Sequence, residues 1–185
     1  NPKTFNLKVL FSMRLHRFRD EIMDMVAASR GEAGIEKSLT EISEYWKKIK
    51  FTVYPYKDNP AKGYLLGDTT EICAEIEDNA MTLAGMSASP FAGAHGKSLR
   101  KWEGDLNMVN ECISAWKTVQ MKWTYLEGIF MDSDDIRMQL PQAAKKFERV
   151  NEAFKDIMKD TNSNPNVVKA CTAENRLESL QALVK

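Results

Sequence analysis

Gly96-Lys97-Ser98 is the tripeptide with which a phosphate-binding loop grips a nucleotide, and it ends the stretch SPFAGAHGKS that begins at Ser89. That chemistry needs a glycine five residues before Gly96, so that the backbone can fold round the phosphates with its N–H groups pointing inward. The residue there is Phe91. Such a loop also follows a buried strand, whereas Met81 to Met86 continues a helical pattern, and no apolar strand ending in aspartate follows to hold magnesium. The stretch therefore reads as a connector between helices, with Ser98 as the N-cap of the next one. The run DSDDIRMQLPQA from Asp132 has acids at the first and third positions of a calcium loop, but Arg137 and Ala143 stand where glycine and glutamate are required. His16 and His95 are distant in sequence and have no second ligand at helical spacing. Cys73, Cys112 and Cys171 form no CxxC and no disulfide framework, and read as reduced, mostly buried thiols. The carboxylates of EIEDN and EGD face solvent on helices. No catalytic constellation, metal site or cofactor site can be assembled from these residues.

Trp116 and Trp123 lie one heptad apart and Trp102 two heptads before Trp116. Such a row could stack bases, but Leu, Ile and Val occupy the same phase elsewhere and no basic groove accompanies it, so core packing is the reading. The row sits in the longest apolar run of the chain: Leu99, Trp102, Leu106, Val109, Ile113 and Trp116, then Gln120 interrupting the stripe, then Trp123, Leu126 and Phe130. One helix is expected there, bent or ended early at Gly104 or Gly128. The same stepping predicts a helix through Phe11, Leu15, Phe18, Ile22 and Met25. A second runs through Ile35, Leu39, Ile42, Trp46 and Ile49, and a break at Gly31 to Gly34 separates the two. A third runs through Ile72, Ile76, Asn79, Leu83 and Met86, opening at Asp68 with Glu71 as its reciprocal capping partner. After DSDD, Pro141 starts a helix with Phe147, Val150, Phe154 and Ile157 on one face, and residues 165–185 read as two short helices.

Only FTVYPYKDNPAKGYLL, residues 51–66, departs from the helical period. Its β-branched and aromatic residues around KDNPAKG predict a hairpin, with Pro55 on a short or edge strand. The expected fold class is thus all-α, an elongated helical bundle with one small β-hairpin near residues 51–66. It divides into an N-terminal helical subdomain with the hairpin (1–86), a connector (87–98) and a long-helix bundle (99–185). The 185 residues suffice for a real core. Lys and Arg number 26 and balance 26 acidic residues, which argues against a nucleic-acid or membrane-surface partner held by bulk charge. There is no membrane-length apolar run and no signal-peptide pattern, and the chain, which does not begin with Met, reads as an excerpt of a longer one.

The identities within that pattern go further. Trp116-x-x-Val119-Gln120-x-x-Trp123-x-Tyr125-Leu126-Glu127-x-Ile129-Phe130, then Asp135-Ile136-x-x-Gln139-Leu140-Pro141 and Phe147, resemble the linker region of dynein heavy chains. EYWKKIKFTVYPYKD from Glu44, YLLGDTTEICAEIEDN from Tyr64, SPFAG, and KWEGDL from Lys101 add to the resemblance, which covers most of the chain from Ile35 to about Cys171. EIEDN departs from the family's leucine and paired aspartates, and AGAHGKSL from its usual continuation after Pro-Phe. YLEGIF and the KKF after Pro141 look more axonemal than cytoplasmic.

The resemblance implies a mechanical, non-catalytic segment: the N-terminal part of an elongated helical linker that arches over a ring of AAA+ ATPase modules and swings with nucleotide state. Its implied partners are that ring and the remaining linker of the same heavy chain, the tail and its associated chains indirectly, and microtubules through the parent motor. The implied location is cytoplasm and cytoskeleton, with the cilium or flagellum axoneme for an axonemal type. Residues 87–96 could serve as its hinge, and Tyr54, Tyr56 and Tyr64 of the hairpin are candidates for an exposed docking patch, with ordinary hairpin packing as the plainer role. A spectrin-like scaffold or adaptor bundle is the alternative, and should show a fixed repeat. A nucleotide-binding enzyme acting through GKS is a third.

Overall fold

The computed structural model describes residues 6–131 and 133–184. Asp132, the first position of the calcium-loop pattern, lies outside the described residues, as do residues 1–5 and 185 at the two ends of the sequence-predicted elements. Helices α1 (Leu7–Ser12) and α2 (Arg19–Lys48) lead to a two-stranded antiparallel sheet of β1 (Val53–Pro55) and β2 (Tyr64–Leu66), followed by α3 (Thr70–Ser87) and α4 (Gly96–Met131). Then come α5 (Asp134–Gln139), α6 (Pro141–Ser163), α7 (Val167–Cys171) and α8 (Arg176–Val184). The predominantly helical fold with one small hairpin is the one expected.

Helix α4 is the axis of the molecule. Its 36 residues give it a length of ~54 Å at 1.5 Å per residue. It passes through Gly104 and Gly128 without ending, because its inward stripe of Leu106, Val109, Ile113, Trp116, Val119 and Trp123 is almost wholly buried and holds the helix in register. Helices α3, α6, α7 and α8 pack along it. The buried cluster is continuous from Ile35 on α2 to Leu180 on α8.

The N-terminal elements differ from the sequence expectation in two ways. Residues 11–25 do not form one helix: α1 stops at Ser12, Arg14 takes a left-handed conformation (φ 49°), and a 3-10 turn over Leu15–Phe18 precedes α2. Phe11, Phe18 and Met25 stay exposed at 76%, 52% and 63%, so no burial fixes a single helical phase there. Conversely, α2 runs unbroken through Gly31 and Gly34. Gly31 is there for packing. A Cβ built on it would lie 2.2 Å from Cδ2 of Phe91, so the bare backbone forms a notch that receives the Phe91 ring.

Two helix starts also shift. Asp68 Oδ1 accepts from the backbone N–H and the hydroxyl of Thr70, at 3.0 and 2.6 Å, and α3 begins at Thr70, so Thr70 is the partner that Asp68 engages at this start. Helix α4 begins at Gly96, straight out of a 3-10 turn over Gly93–His95, which places Ser98 inside the first turn and not at the N-cap.

The two ends of the fold are tied by Asn166. Its Nδ2 donates to the carbonyls of Trp46 (2.9 Å) and Ile49 (3.0 Å) at the end of α2, while its Oδ1 accepts from Lys169 N–H at the start of α7. Backbone bonds from Phe51 N–H to Pro165 O and from Val167 N–H to Ile49 O flank it. One side chain thus caps the exit of one helix and the entry of another, satisfying groups that a helix end leaves without partners.

Candidate functional site

The hairpin is short, and three pairs (Val53 with Leu66, Tyr54 with Leu65, Pro55 with Tyr64) are its whole ladder. An isolated two-stranded ribbon of that size is marginal in water, so something must hold it. The holder is Gln120, the polar residue that interrupts the apolar stripe of α4. Its Oε1 accepts from Leu66 N–H at 2.8 Å and its Nε2 donates to Leu66 O at 3.0 Å. The amide side chain stands in for a third strand and satisfies both backbone groups of a buried residue.

A second attachment lies two turns along the same helix. Glu127 is 4% exposed and its Oε2 accepts from Lys57 Nζ at 2.9 Å. Burial, and then hydrogen bonding to Glu127, pushes the Tyr56 phenol above its ordinary value. Lys57 and Asp58 both have left-handed backbones (φ 52° and 54°), which curl the chain back towards α4. The Tyr56 ring meets Trp123 edge-on, with centroids 5.0 Å apart. A buried carboxylate held by a cation adds little net stability but is costly to break, which makes it a device for fixing position.

Two indole N–H groups of α4 find partners on α6: Trp123 Nε1 donates to Asn151 Oδ1 at 3.0 Å and Trp116 Nε1 to Met158 Sδ at 3.1 Å. Arg176 at the start of α8 pairs with Asp160 near the end of α6 and lies over the Trp116 ring, 5.7 Å from its centroid. Cys112 and Cys171, remote in sequence, are buried neighbours, and hydrogen bonding to Cys112 together with burial pushes the Cys171 thiol far up, keeping it protonated. Hairpin, α6 and α8 therefore hold α4 through directional bonds as well as apolar contact.

The three tyrosines do not form one exposed patch. Tyr54 is 45% exposed and Tyr64 half-buried, while Tyr56 is buried against Trp123. The sequence shows β-branched and aromatic residues round a turn; it does not show that the turn folds over. Exposed instead, and not singled out from the sequence, are Met121 (67%) and Tyr125 (71%), one turn apart on the same face of α4. Glu127 was also missed, although its spacing from Trp123 and Phe130 puts it on the apolar stripe, the one signal that could mark a buried charge.

Lys97 and Ser98 are exposed in the first turn of α4, and α3, a helix, precedes their connector, so the geometry of a phosphate loop is absent there. His16 is exposed and His95 half-buried. No group of three His, Cys, Asp or Glu among the described residues could hold a metal ion, and no described helix is long and apolar enough to cross a membrane.

The family described as "Dynein heavy chain, N-terminal region 2" matches residues 1–185. The chain is 42% identical to human "Dynein axonemal heavy chain 10" over 180 residues, 97% of this chain and 4% of that one. It is 39% identical over 184 residues to "Dynein-1-alpha heavy chain, flagellar inner arm I1 complex" of Chlamydomonas reinhardtii, covering 99% of this chain and 4% of the relative. Over 181 residues, 98% of this chain and 4% of the relative, it is 30% identical to "Dynein beta chain, ciliary" of Tripneustes gratilla. It spans about 4% of the length of each of these relatives.

Proposed function

The chain belongs to the dynein heavy chain family, as a stretch of the N-terminal region, and from that premise we propose that it is a section of the linker of an axonemal motor. In this reading it carries force between the AAA+ ATPase ring and the tail, and has no chemistry of its own. The observation that carries the reading is the 36-residue helix α4 gripped at Gln120 and Glu127 by the hairpin and at Trp116 and Trp123 by α6. A bare helix of ~54 Å bends easily, and side groups bonded at successive turns oppose bending and twisting. Directional bonds suit a lever better than apolar packing alone, because sliding breaks them.

The segment's partners in this reading are the ring and the rest of the linker in the same heavy chain, the tail and its chains at one remove, and microtubules through the whole motor. Its place is the axoneme of a cilium or flagellum, following the relatives named axonemal, flagellar and ciliary. Residues 87–96 are the joint, and Tyr54 and Tyr64 contribute to the docking surface with the ring. The spectrin-like scaffold has less support, since helices of 30, 18, 36 and 23 residues with a hairpin between them show no fixed period.

The test is to loosen the grip without touching the ring. In the full-length motor, Gln120→Ala combined with Glu127→Gln should leave microtubule-stimulated ATP turnover in place and slow microtubule gliding several-fold. A motor that glides at its normal speed, or one in which turnover falls in step with gliding, would overturn the proposal.

A further inference from the structure

Cys112 and Cys171 are free thiols to which the mechanical reading gives no part. Met108, Cys112 and Trp116 are spaced four apart and share one face of α4. Met108 lines a cleft of about 470 Å³ together with Cys171 and the bend at residues 172–175. Beyond that bend the Arg176 guanidinium lies over the Trp116 ring, 5.7 Å from its centroid. Cys171 and Arg176 therefore bracket Cys112, and the two thiols, both almost wholly buried, are hydrogen-bonded to one another.

Most buried cysteines are inert, because burial keeps the thiol neutral and excludes reagents. At Cys112 the hydrogen bond from Cys171 outweighs burial, the Arg176 charge adds to it, and the thiol is held below its ordinary value. The cleft brings solvent up to the Cys171 end of the pair. Its outer wall is a bend in which Thr172, Glu174 and Asn175 are exposed and Asn175 is left-handed (φ 55°). A movement of that bend admits a small oxidant, while a bulky one stays outside. Sulfur atoms already in hydrogen-bonding contact need only a short approach to reach the S–S distance of ~2.05 Å.

We propose that Cys112 and Cys171 are a redox pair, joined by a hydroperoxide into a disulfide that latches α7 to α4 and released again by a dithiol. The Cys112 sulfur attacks one oxygen of the hydroperoxide, so that an S–O bond forms, the O–O bond breaks and water or an alcohol leaves. Cys171 then attacks the Cys112 sulfenic acid: the S–S bond forms, the S–O bond breaks, and the thiol proton leaves with the oxygen as water. Two thiols lose two electrons and the hydroperoxide gains them. The latch matters because α7 has only five residues, too few to hold a helix by itself. Asn166, which caps α7, also binds the Trp46 and Ile49 carbonyls at the end of α2, so fixing α7 on α4 fixes the end of α2 as well. The disulfide closes a loop of roughly sixty residues, long enough to restrict the open chain strongly. The proposal is independent of the mechanical reading, since the bond forms or fails to form whatever the segment transmits.

In the full-length heavy chain, hydrogen peroxide added to the native motor, followed by alkylation and digestion without reductant, should yield peptides joined through Cys112 and Cys171 that dithiothreitol separates. Sulfinic or sulfonic acid at either cysteine in place of the link, a link from either to another thiol, or both left reduced while Cys73 is oxidised would overturn the proposal. Amide hydrogen exchange over residues 167–176 reads the latch itself. It should slow several-fold in the oxidised motor and return to its first rate with dithiothreitol, and peroxide should leave it unchanged in Cys171→Ala. Exchange that does not slow on oxidation, or that slows equally in Cys171→Ala, would overturn the proposal as well.

Discussion

Gly31→Ala should reverse its sign according to what stands opposite it. In the middle of α2 the substitution would ordinarily stabilise by about 1 kcal/mol, because glycine is a poor helix former. Here the added Cβ would sit 2.2 Å from Cδ2 and 2.5 Å from Cγ of Phe91, so the ring has to leave its notch. Overpacking of that kind costs about 1–3 kcal/mol, and the half-buried ring has about that much to lose. The net expectation is about 0–2 kcal/mol of destabilisation in place of about 1 kcal/mol of stabilisation. With Phe91→Ala in the background the notch is empty, and Gly31→Ala should then stabilise by its full propensity gain. The assay is a double-mutant cycle by urea denaturation followed by far-UV circular dichroism, with an expected coupling of about 1–3 kcal/mol. Equal stabilisation by Gly31→Ala in both backgrounds would refute the docking of the connector onto α2.

Other substitutions probe the grip on α4. Gln120→Ala leaves the N–H and C=O of buried Leu66 without partners and should cost about 1–3 kcal/mol in chemical denaturation, with Gln120→Glu unable to restore it because a carboxylate cannot donate to Leu66 O. Trp123→Phe orphans Asn151 Oδ1 and should destabilise by about 1–3 kcal/mol, more than Trp123→Phe does when Asn151→Leu is already present. Under native conditions a maleimide should modify half-buried Cys73 well before Cys112 and Cys171, as mass spectrometry of a time course would show. The Asp68 carboxyl is held below its ordinary value, first by the Thr70 hydroxyl and then by the Thr70 N–H. Its contribution is therefore present above the ordinary carboxylate range and lost as pH falls through the depressed value, and Asp68→Asn should flatten that part of the pH–stability profile.

The helical period exposed α4, α6 and the tryptophan row, because most of each stripe is buried and burial is what selects apolar residues at that spacing, while the hairpin showed as the one departure from the period. It failed at the N-terminus for the converse reason: Phe11, Phe18 and Met25 keep the spacing but meet no core among the described residues. Gly31 read as a break because a glycine chosen for its missing side chain looks the same as one chosen for its backbone freedom. Phe91, the partner that distinguishes the two, is sixty residues away. Gln120 was visible as an interruption of the stripe and Glu127 was not marked, and the partners of both, Leu66 and Lys57, come from the hairpin. Tyr56 was named as a docking candidate with ordinary hairpin packing as the plainer role, and local pattern does not show the left-handed pair Lys57–Asp58 beside which its ring lies buried. Gly-Lys-Ser was set aside from the sequence because Phe91 occupies the position the loop chemistry reserves for glycine.

The central claim is that α4 and the elements bonded to it move as a stiff body, with bending confined to the joint at residues 87–96. In the full-length motor, one pair of fluorescent labels on exposed positions near the two ends of α4, at Lys97 and Tyr125, would report internal length, and a second pair from Tyr125 to the ATPase ring would report movement. Single-molecule energy transfer across the nucleotide cycle should show the first distance unchanged and the second switching between discrete values. A first distance that changes with nucleotide state, or a second that never does, would contradict the account.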